Sequence, residues 1–354
     1  MIIVLKPGTP AGVVEALVEQ FQSWQLETQT IVGRENIVIG LIGDTSNLAD
    51  DRVQEQSPFI DRVLRVKKRF KRASREFHPE ATIVQIPTAS GTIAIGGDSP
   101  LVVMAGPCSV EGEAMIVETA RRVKAAGARI LRGGAYKPRT SPYDFQGHGE
   151  SALDLLAAAR EATGLAIVTE VMDTADLDAI AAVADIVQVG ARNMQNYALL
   201  KKVGSQPRPV LLKRAYSATI DEWLLAAEYI LAAGNPNVIL CERGIRTFDH
   251  VYTRNTLDLA AVPVLRSLTH LPVIVDPSHG TGLSQFVEAT SKAAIAIGAD
   301  GLMIEVHPDP ARALSDGPQC LTPDEFDATM MALAPIANAV SRSLASPETV
   351  KSGR

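Results

Sequence analysis

Eight short apolar runs recur between about residues 100 and 310, and most are separated by a segment with helical spacing. The runs are LVVMAG, RILRGG, AIVTEV, IVQVGA, PVLLKR, VILCER, PVIVDP and GLMIEV. They show little polar alternation, which marks parallel strands covered by helices outside and by side chains inside. Stretches such as GEAMIVETARRVKAAG and TIDEWLLAAEYILAAG supply helices. Gly127, Gly164, Gly234 and Gly298 stand where a left-handed stop ends a helix before the next strand. Eight such units predict an α/β fold, a closed (β/α)8 TIM barrel over residues 100–354. An open doubly wound sheet is the alternative, but no early Gly-rich dinucleotide turn is present to support it. The stretch TPDEFDATMMALAPIANAVSRSLA reads as an extra carboxyl-terminal helix after the barrel.

Residues 1–70 have another rhythm and read as a small ferredoxin-like α+β domain. MIIVLK begins a strand at once, Thr9 and Pro10 suit an N-cap and first helical position, and Val14, Leu17, Val18 and Phe21 form a helical stripe. TQTIVGR, NIVIGLIGD and DRVLRVKK follow as strands, with a second helix before the last that Pro58 interrupts. Residues 71–99 read as a linker and hairpin: the basic run KKRFKRASREFHPE is expected to be solvated, and ATIVQI pairs with GTIAIGG.

Composition narrows the function. No run approaches the roughly 18 apolar residues of a membrane-spanning helix, and the net charge of −6 offers nucleic acid no general attraction. The start lacks the basic and apolar pattern of a leader. Cys108, Cys241 and Cys320 form no close-spaced pair, which fits a reducing, cytoplasmic setting.

In a barrel the carboxyl ends of the strands share one face. Those ends offer Cys108, Arg132, Lys137, Arg139, Glu170, Arg192, Lys213, Arg214, Glu242, Arg243, Asp276, His279, Glu305 and His307. A scatter of surface salt bridges is the plain reading, and a shared site is the other. The first, seventh and eighth staves are neighbours, so Cys108, His279 and Glu305 converge, and Asp316 can return from the loop after the eighth. One thiolate, one imidazole and two carboxylates suit Mn²⁺, Fe²⁺, Co²⁺ or Zn²⁺, whereas Cys108 alone would read as an inert buried thiol. Cys241 reads as packing and Cys320 as incidental. The cations Arg132, Lys137, Arg139, Arg192, Lys213 and Arg243 would repel one another unless a multiply charged ligand filled the gap, which points to more than one phosphorylated substrate. A P-loop is absent, so nucleotide binding fits less well.

Seven ordered motifs carry a resemblance: AGPCSVEG at 105–112, LRGGAYKPRTSPYDFQG at 131–147, VGARNMQN at 189–196, LLKR at 211–214, ILCERGIRTF at 239–248, DPSHGTG at 276–282 and EVHPDPARALSDG at 305–317. The chain resembles the 3-deoxy-D-arabino-heptulosonate 7-phosphate (DAHP) synthases of the microbial type I beta form, with a ferredoxin-like regulatory extension in front. The related 3-deoxy-octulosonate 8-phosphate synthases share the barrel, but KPRTS and GARNMQN favour the heptulosonate family. After the HGTG turn, family members often carry basic residues, whereas this chain has Leu283, Ser284 and Gln285.

The resemblance implies phosphoenolpyruvate and erythrose 4-phosphate as substrates and the opening step of the shikimate pathway. It implies Cys108, His279, Glu305 and Asp316 as metal ligands, with Cys108, His279 and Lys137 at the centre of catalysis. Arg132 and Lys137 would address the phosphoenolpyruvate carboxylate, Arg192, Lys213 and Arg243 its phosphate, and Arg139, Thr140 and Ser141 the erythrose phosphate. Lys137 would handle a proton near carbon two or stand as a fixed charge, and Glu170 and His307 would arrange water or a ligand. The front domain implies tyrosine or phenylalanine as effector, acting across a homotetramer or homodimer; covering barrel surface is the simpler role for it. A Schiff-base aldolase using Lys213, and a noncatalytic metabolite-binding protein, are the rival classes.

Overall fold

A computed structural model, describing residues 1–33, 36–43, 45, 47–65, 69–89 and 91–345, divides the chain into two units. The first is Met1–Ala81 with Ser267–His270, and the second is Thr82–Arg266 with Leu271–Arg354. In the first, β1 (Ile2–Leu5), α1 (Ala11–Ser23), β2 (Glu27–Val32), β3 (Ile37–Ile42), α2 (Asp50–Gln54) and β4 (Ile60–Leu64) give the ferredoxin-like order βαββαβ. The sheet runs β2-β3-β1-β4 with antiparallel neighbours. Alternation along β1 sends Ile3 and Leu5 to a core shared with Val14, Leu17 and Phe21 of α1, and Ile2 and Val4 to the opposite face with Val38 and Phe77.

Three local expectations are corrected here. Pro10, not Thr9, precedes the first helical residue, and the Thr9 hydroxyl donates instead to the Lys6 carbonyl at 2.7 Å. The second helix ends at Gln54, so Pro58 follows it rather than interrupting it; the helix is short because Val53 is its one buried residue. The basic stretch is not a solvated linker, for it buries Phe70, Ala73 and Phe77. A Cβ at Gly40 would fall 1.7 Å from the Phe77 ring, so a strand glycine makes room for that cover. Lys67 and Lys68, the end of the strand read as DRVLRVKK, lie outside the described residues.

The second unit opens with the expected hairpin, β5 (Val84–Thr88) against β6 (Gly91–Ile95). Strands and helices then alternate: β7 (Val102–Gly106), α3 (Glu113–Ala125), β8 (Ile130–Arg132), α4 (Glu150–Thr163), β9 (Ala166–Val171), α5 (Leu177–Val183) and β10 (Ile186–Val189). They continue as α6 (Tyr197–Gly204), β11 (Val210–Lys213), α7 (Ile220–Ala232), β12 (Val238–Glu242), α8 (Ala261–Leu268) and β13 (Val273–Val275). The last are α9 (Pro277–Thr281), α10 (Val287–Ala296), β14 (Gly301–Glu305) and α11 (Pro323–Ala339). All eight strands are parallel, and β14 pairs with β7 from Gly301↔Val102 to Glu305↔Gly106, which closes the barrel. Gly127, Gly164, Gly234 and Gly298 all take positive φ, as a left-handed stop requires.

The carboxyl-terminal helix is not an extra. α11 packs against both α10 and α3, so it is the eighth helix of the ring. A reciprocal capping box starts it: Thr322 accepts from the Glu325 amide at 3.2 Å, and Glu325 accepts from the Thr322 amide at 2.7 Å. Inside the barrel, Val102, Met104, Ile130, Val168, Ile186, Leu211, Ile239, Ile274 and Met303 meet Val84, Ile86, Ile93 and Ile95 of the hairpin, which plugs the amino-terminal end. No helix among the described residues is long and apolar enough to cross a membrane.

Candidate active site at the barrel mouth

One further step of strand alternation turns this interior polar. Two residues beyond Ile130, Val168, Ile186, Leu211, Cys241, Ile274 and Met303 stand Arg132, Glu170, Gln188, Lys213, Arg243, Asp276 and Glu305, every one of them buried. Buried charges persist only when paired or when a ligand meets them. A cavity of about 170 Å³ opens here, and Lys137, Arg139, Thr140, Arg192, Tyr216, Arg254, His279 and Asp316 join its walls.

Side chains of the types that bind metal ions converge beside it. Ligand atoms of Cys108, Glu305 and Asp316 lie within 4.8 Å of one another. His279 Nε2 is 3.5 Å from Glu305 Oε1 and 3.9 Å from Asp316 Oδ2. Asp276 caps α9, accepting from the His279 amide at 2.9 Å and meeting His279 Nδ1 at 2.7 Å. That contact turns Nε2 toward the carboxylates. Burial lowers the His279 pKa, against an opposing pull from the Asp276 and Glu305 carboxylates. Burial and the nearby Glu305 carboxylate push the Cys108 thiol up to about 11, against a partial offset from Lys137. An anion-rich pocket that resists the thiolate is the donor set a divalent cation fits, because the cation repays the repulsion.

Neighbours orient each of these groups. Lys137 Nζ donates to Cys108 Sγ at 2.9 Å and to its carbonyl at 3.0 Å. Arg132 pairs with Glu305 at 2.7 Å and Gln319 donates to the other Glu305 oxygen at 2.6 Å. Arg254 reaches Asp316 Oδ1 at 3.2 Å and Gln319 Oε1 at 2.8 Å. Burial opposes the charge on Asp276, yet His279 and Lys213, the latter 2.6 Å away, hold its carboxyl well below the usual range.

The mouth separates residues that adjoin in sequence. Lys213 and Arg243 face the cavity, whereas Arg214 and Glu242 point outward and pair at 3.0 Å, with Asp258 2.8 Å from the same guanidinium. Arg139 and Thr140 line the cavity, and Arg192 donates to Thr140 at 3.4 Å. Ser141 is not among the lining residues; its hydroxyl accepts from the Tyr143 amide at 3.3 Å within its own turn. His307 is also absent from the walls, held by Glu111 at 3.3 Å and accepting from the Asp309 amide at 3.0 Å. Glu170 takes a hydrogen bond from Gln188 at 3.0 Å through one oxygen; the other, buried, has no partner among the described residues. Leu283, Ser284 and Gln285 lie outside the cavity. Arg254, Tyr216, Gln188 and Gln319 were missed: Gln188 had an available signal in its place two residues after Ile186, while Arg254 and Tyr216 sit in loops and Gln319 in a single 3-10 turn, without one.

The fold and mouth define a barrel enzyme whose cavity pairs a cluster of ligating side chains with a ring of cations. Residues 77–341 match the model of the DAHP synthetase I family, and residues 1–68 match the DAHP synthase ferredoxin-like domain. The chain is 48% identical over 340 residues to the phospho-2-dehydro-3-deoxyheptonate aldolase of Thermotoga maritima, covering 96% of this chain and 98% of that one. A crystal structure of that aldolase superposes with a TM-score of 0.76 at 46% identity, covering 97% of this chain and 98% of the other. A truncated T. maritima DAHP synthase matches 78% of this chain and 99% of its own, with a TM-score of 0.72 and 46% identity. The 2-dehydro-3-deoxyphosphooctonate aldolase of Syntrophotalea carbinolica is 34% identical over 256 residues, covering 67% of this chain and 91% of its own. The chain therefore belongs to the DAHP synthetase I family, whose reaction is the first step of the shikimate pathway.

Proposed function

We propose that the chain condenses phosphoenolpyruvate with D-erythrose 4-phosphate and water to give DAHP and inorganic phosphate, in the cytoplasm. The observation that carries this reading is that one cavity is lined both by His279 and Asp316 and by Lys213, Arg192 and Arg243. Arg192, Lys213 and Arg243 hold the phosphate of the three-carbon donor, Arg132 and Lys137 its carboxylate, and Arg139 with Thr140 the aldose phosphate. Clamping both substrates removes much of the orientation cost before carbon three of the donor meets the aldehyde carbon. Cys108, His279, Glu305 and Asp316 would hold a divalent ion, Mn²⁺, Fe²⁺, Co²⁺ or Zn²⁺, which would supply Lewis acidity for the aldehyde.

As the carbon–carbon bond forms, carbon two becomes electron-poor and water adds there; the phosphate then leaves by C–O cleavage. The Lys137 ammonium stands beside Cys108 and donates a proton to the phosphate oxygen that leaves carbon two. The unpaired oxygen of Glu170 is an acceptor suited to the attacking water. A Schiff-base aldolase is disfavoured because Lys213, the amine it would need free, is tied to buried Asp276 at 2.6 Å. We assign the amino-terminal unit to feedback inhibition by tyrosine or phenylalanine within a homotetramer or homodimer. A hollow of about 430 Å³ on that unit supports this, combining the apolar Val4, Ile31, Val38 and Leu64 with the charged Arg62 and Glu76.

Phosphate release tests the whole reading. Erythrose 4-phosphate should support turnover and arabinose 5-phosphate should not; chelation should abolish it and added Mn²⁺ restore it. Turnover that survives complete chelation, or a borohydride-trapped adduct on Lys213, would overturn the mechanism. In the same assay, tyrosine or phenylalanine should inhibit the full chain and not a chain beginning at Thr82; inhibition retained by the shorter chain removes the regulatory assignment.

A further inference from the structure

Six cations at and beside this mouth fall into two kinds. Arg132, Lys213 and Arg254 each have a carboxylate partner, Glu305, Asp276 and Asp316 respectively. Arg192, Arg243 and Arg246 have no carboxylate at ion-pair distance among the described residues; instead all three gather over one aromatic ring. The guanidinium carbons of Arg243, Arg246 and Arg192 lie 4.6, 4.9 and 5.8 Å from the centre of the Tyr216 ring. The Arg246 amide also donates to the Tyr216 carbonyl at 2.7 Å, which ties the loop after β12 to the loop after β11. Tyr216 lines the catalytic cavity, and Arg243 is 2% exposed, its guanidinium donating, among the described residues, only to the neighbouring Gly244 carbonyl at 3.3 Å.

The choice of partner has an electrostatic consequence. A carboxylate holds an arginine in place and cancels its charge, so less attraction is left for an incoming anion. An aromatic face attracts the same guanidinium through its quadrupole and leaves the net charge intact. Three uncancelled cations repel one another, and a phosphate dianion arriving among them relieves that repulsion.

We infer that Tyr216 is a positioning residue of the phosphate subsite, its ring holding Arg243, Arg192 and Arg246 close together and uncancelled for the phosphate of the three-carbon donor. Arg246, which the scheme above leaves without a task, thereby joins that subsite as its outer cation. The inference rests on the proposed function in one respect, that Arg192 and Arg243 bind the donor's phosphate.

The test compares full-length Tyr216→Leu, Tyr216→Met and Tyr216→Phe with the parent enzyme. Tyr216→Leu should raise the KM for phosphoenolpyruvate about tenfold, roughly 1.4 kcal/mol, with kcat and the KM for erythrose 4-phosphate changed by less than about twofold. Tyr216→Phe keeps the ring and should restore the parent KM. If Tyr216→Leu does not fold, Tyr216→Met carries the same expectation, and calorimetric titration with phosphoenolpyruvate reads the affinity without turnover. An unchanged KM in the ring-less variants, or a Phe variant as impaired as Leu, overturns the inference. Arg243→Lys separates the two levels of the argument. If it leaves the KM for phosphoenolpyruvate unchanged, the phosphate assignment itself fails. If it raises that KM while Tyr216→Leu does not, only the role of the ring is lost.

Discussion

The two ends of the barrel are built from the same strands and share almost no chemistry. At the amino-terminal end Leu211, Ile274 and Met303 meet the hairpin residues Val84 and Ile95 in a closed apolar core. Two residues further along the same strands, Lys213, Asp276 and Glu305 are equally buried but ionic, and each is engaged by at least one neighbour. The lower end gains stability from area removed from water, about 25 cal/mol per Å². The upper end spends some of it on desolvated charge, which suits binding rather than folding. A parallel barrel tolerates this because the two zones are set by height along the axis, and its ladder hydrogen bonds do not depend on which side chain faces inward.

Substitutions at the two ends should therefore separate catalysis from stability. His279→Ala, at the mouth, removes an imidazole set against two carboxylates; kcat/KM should fall about a thousandfold or more, as expected for several kcal/mol of lost charge stabilisation, with little loss of the thermal midpoint. A fall under tenfold would show that the ligating cluster is not the reaction centre. Leu211→Ala, at the plugged end, should cost about 2–5 kcal/mol in denaturant unfolding while the folded fraction keeps its KM values; altered KM values would mean that the two zones are mechanically coupled. Smallest is Asp276→Asn, at the mouth beside His279. It should weaken metal affinity about 10–100-fold, the usual cost of losing the partner that orients a ligating histidine, measured by titration of the chelated enzyme. Unchanged affinity would show that His279 needs no such orientation.

Much of this was legible before any coordinates. The barrel followed from eight unbroken apolar runs and from glycines such as Gly164 and Gly298 at helix ends, because covering both faces of a strand leaves no polar alternation to read. Cys108, His279, Glu305 and Asp316 could be grouped because closure makes the first and last staves neighbours. Local detail failed where sequence signals are short-ranged. Thr9 looked like a cap, yet its hydroxyl is satisfied by the Lys6 carbonyl one residue too early. The basic run around Phe70 and Phe77 looked solvated because charge dominates its composition, although two phenylalanines within it are nearly fully buried.

By itself, then, the chain's pattern determined which segments become strands, that they close, and which side chains of metal-binding type meet at the closure. Only the tertiary structure decided the partners: that Lys213 faces Asp276 while Arg214 turns outward to Glu242, that α11 completes the ring, and that three arginines gather over Tyr216. The reason is one of range. Periodicity of burial is written along a single element and survives in the sequence, whereas the pairing of side chains at a strand tip depends on angles between elements far apart in the chain.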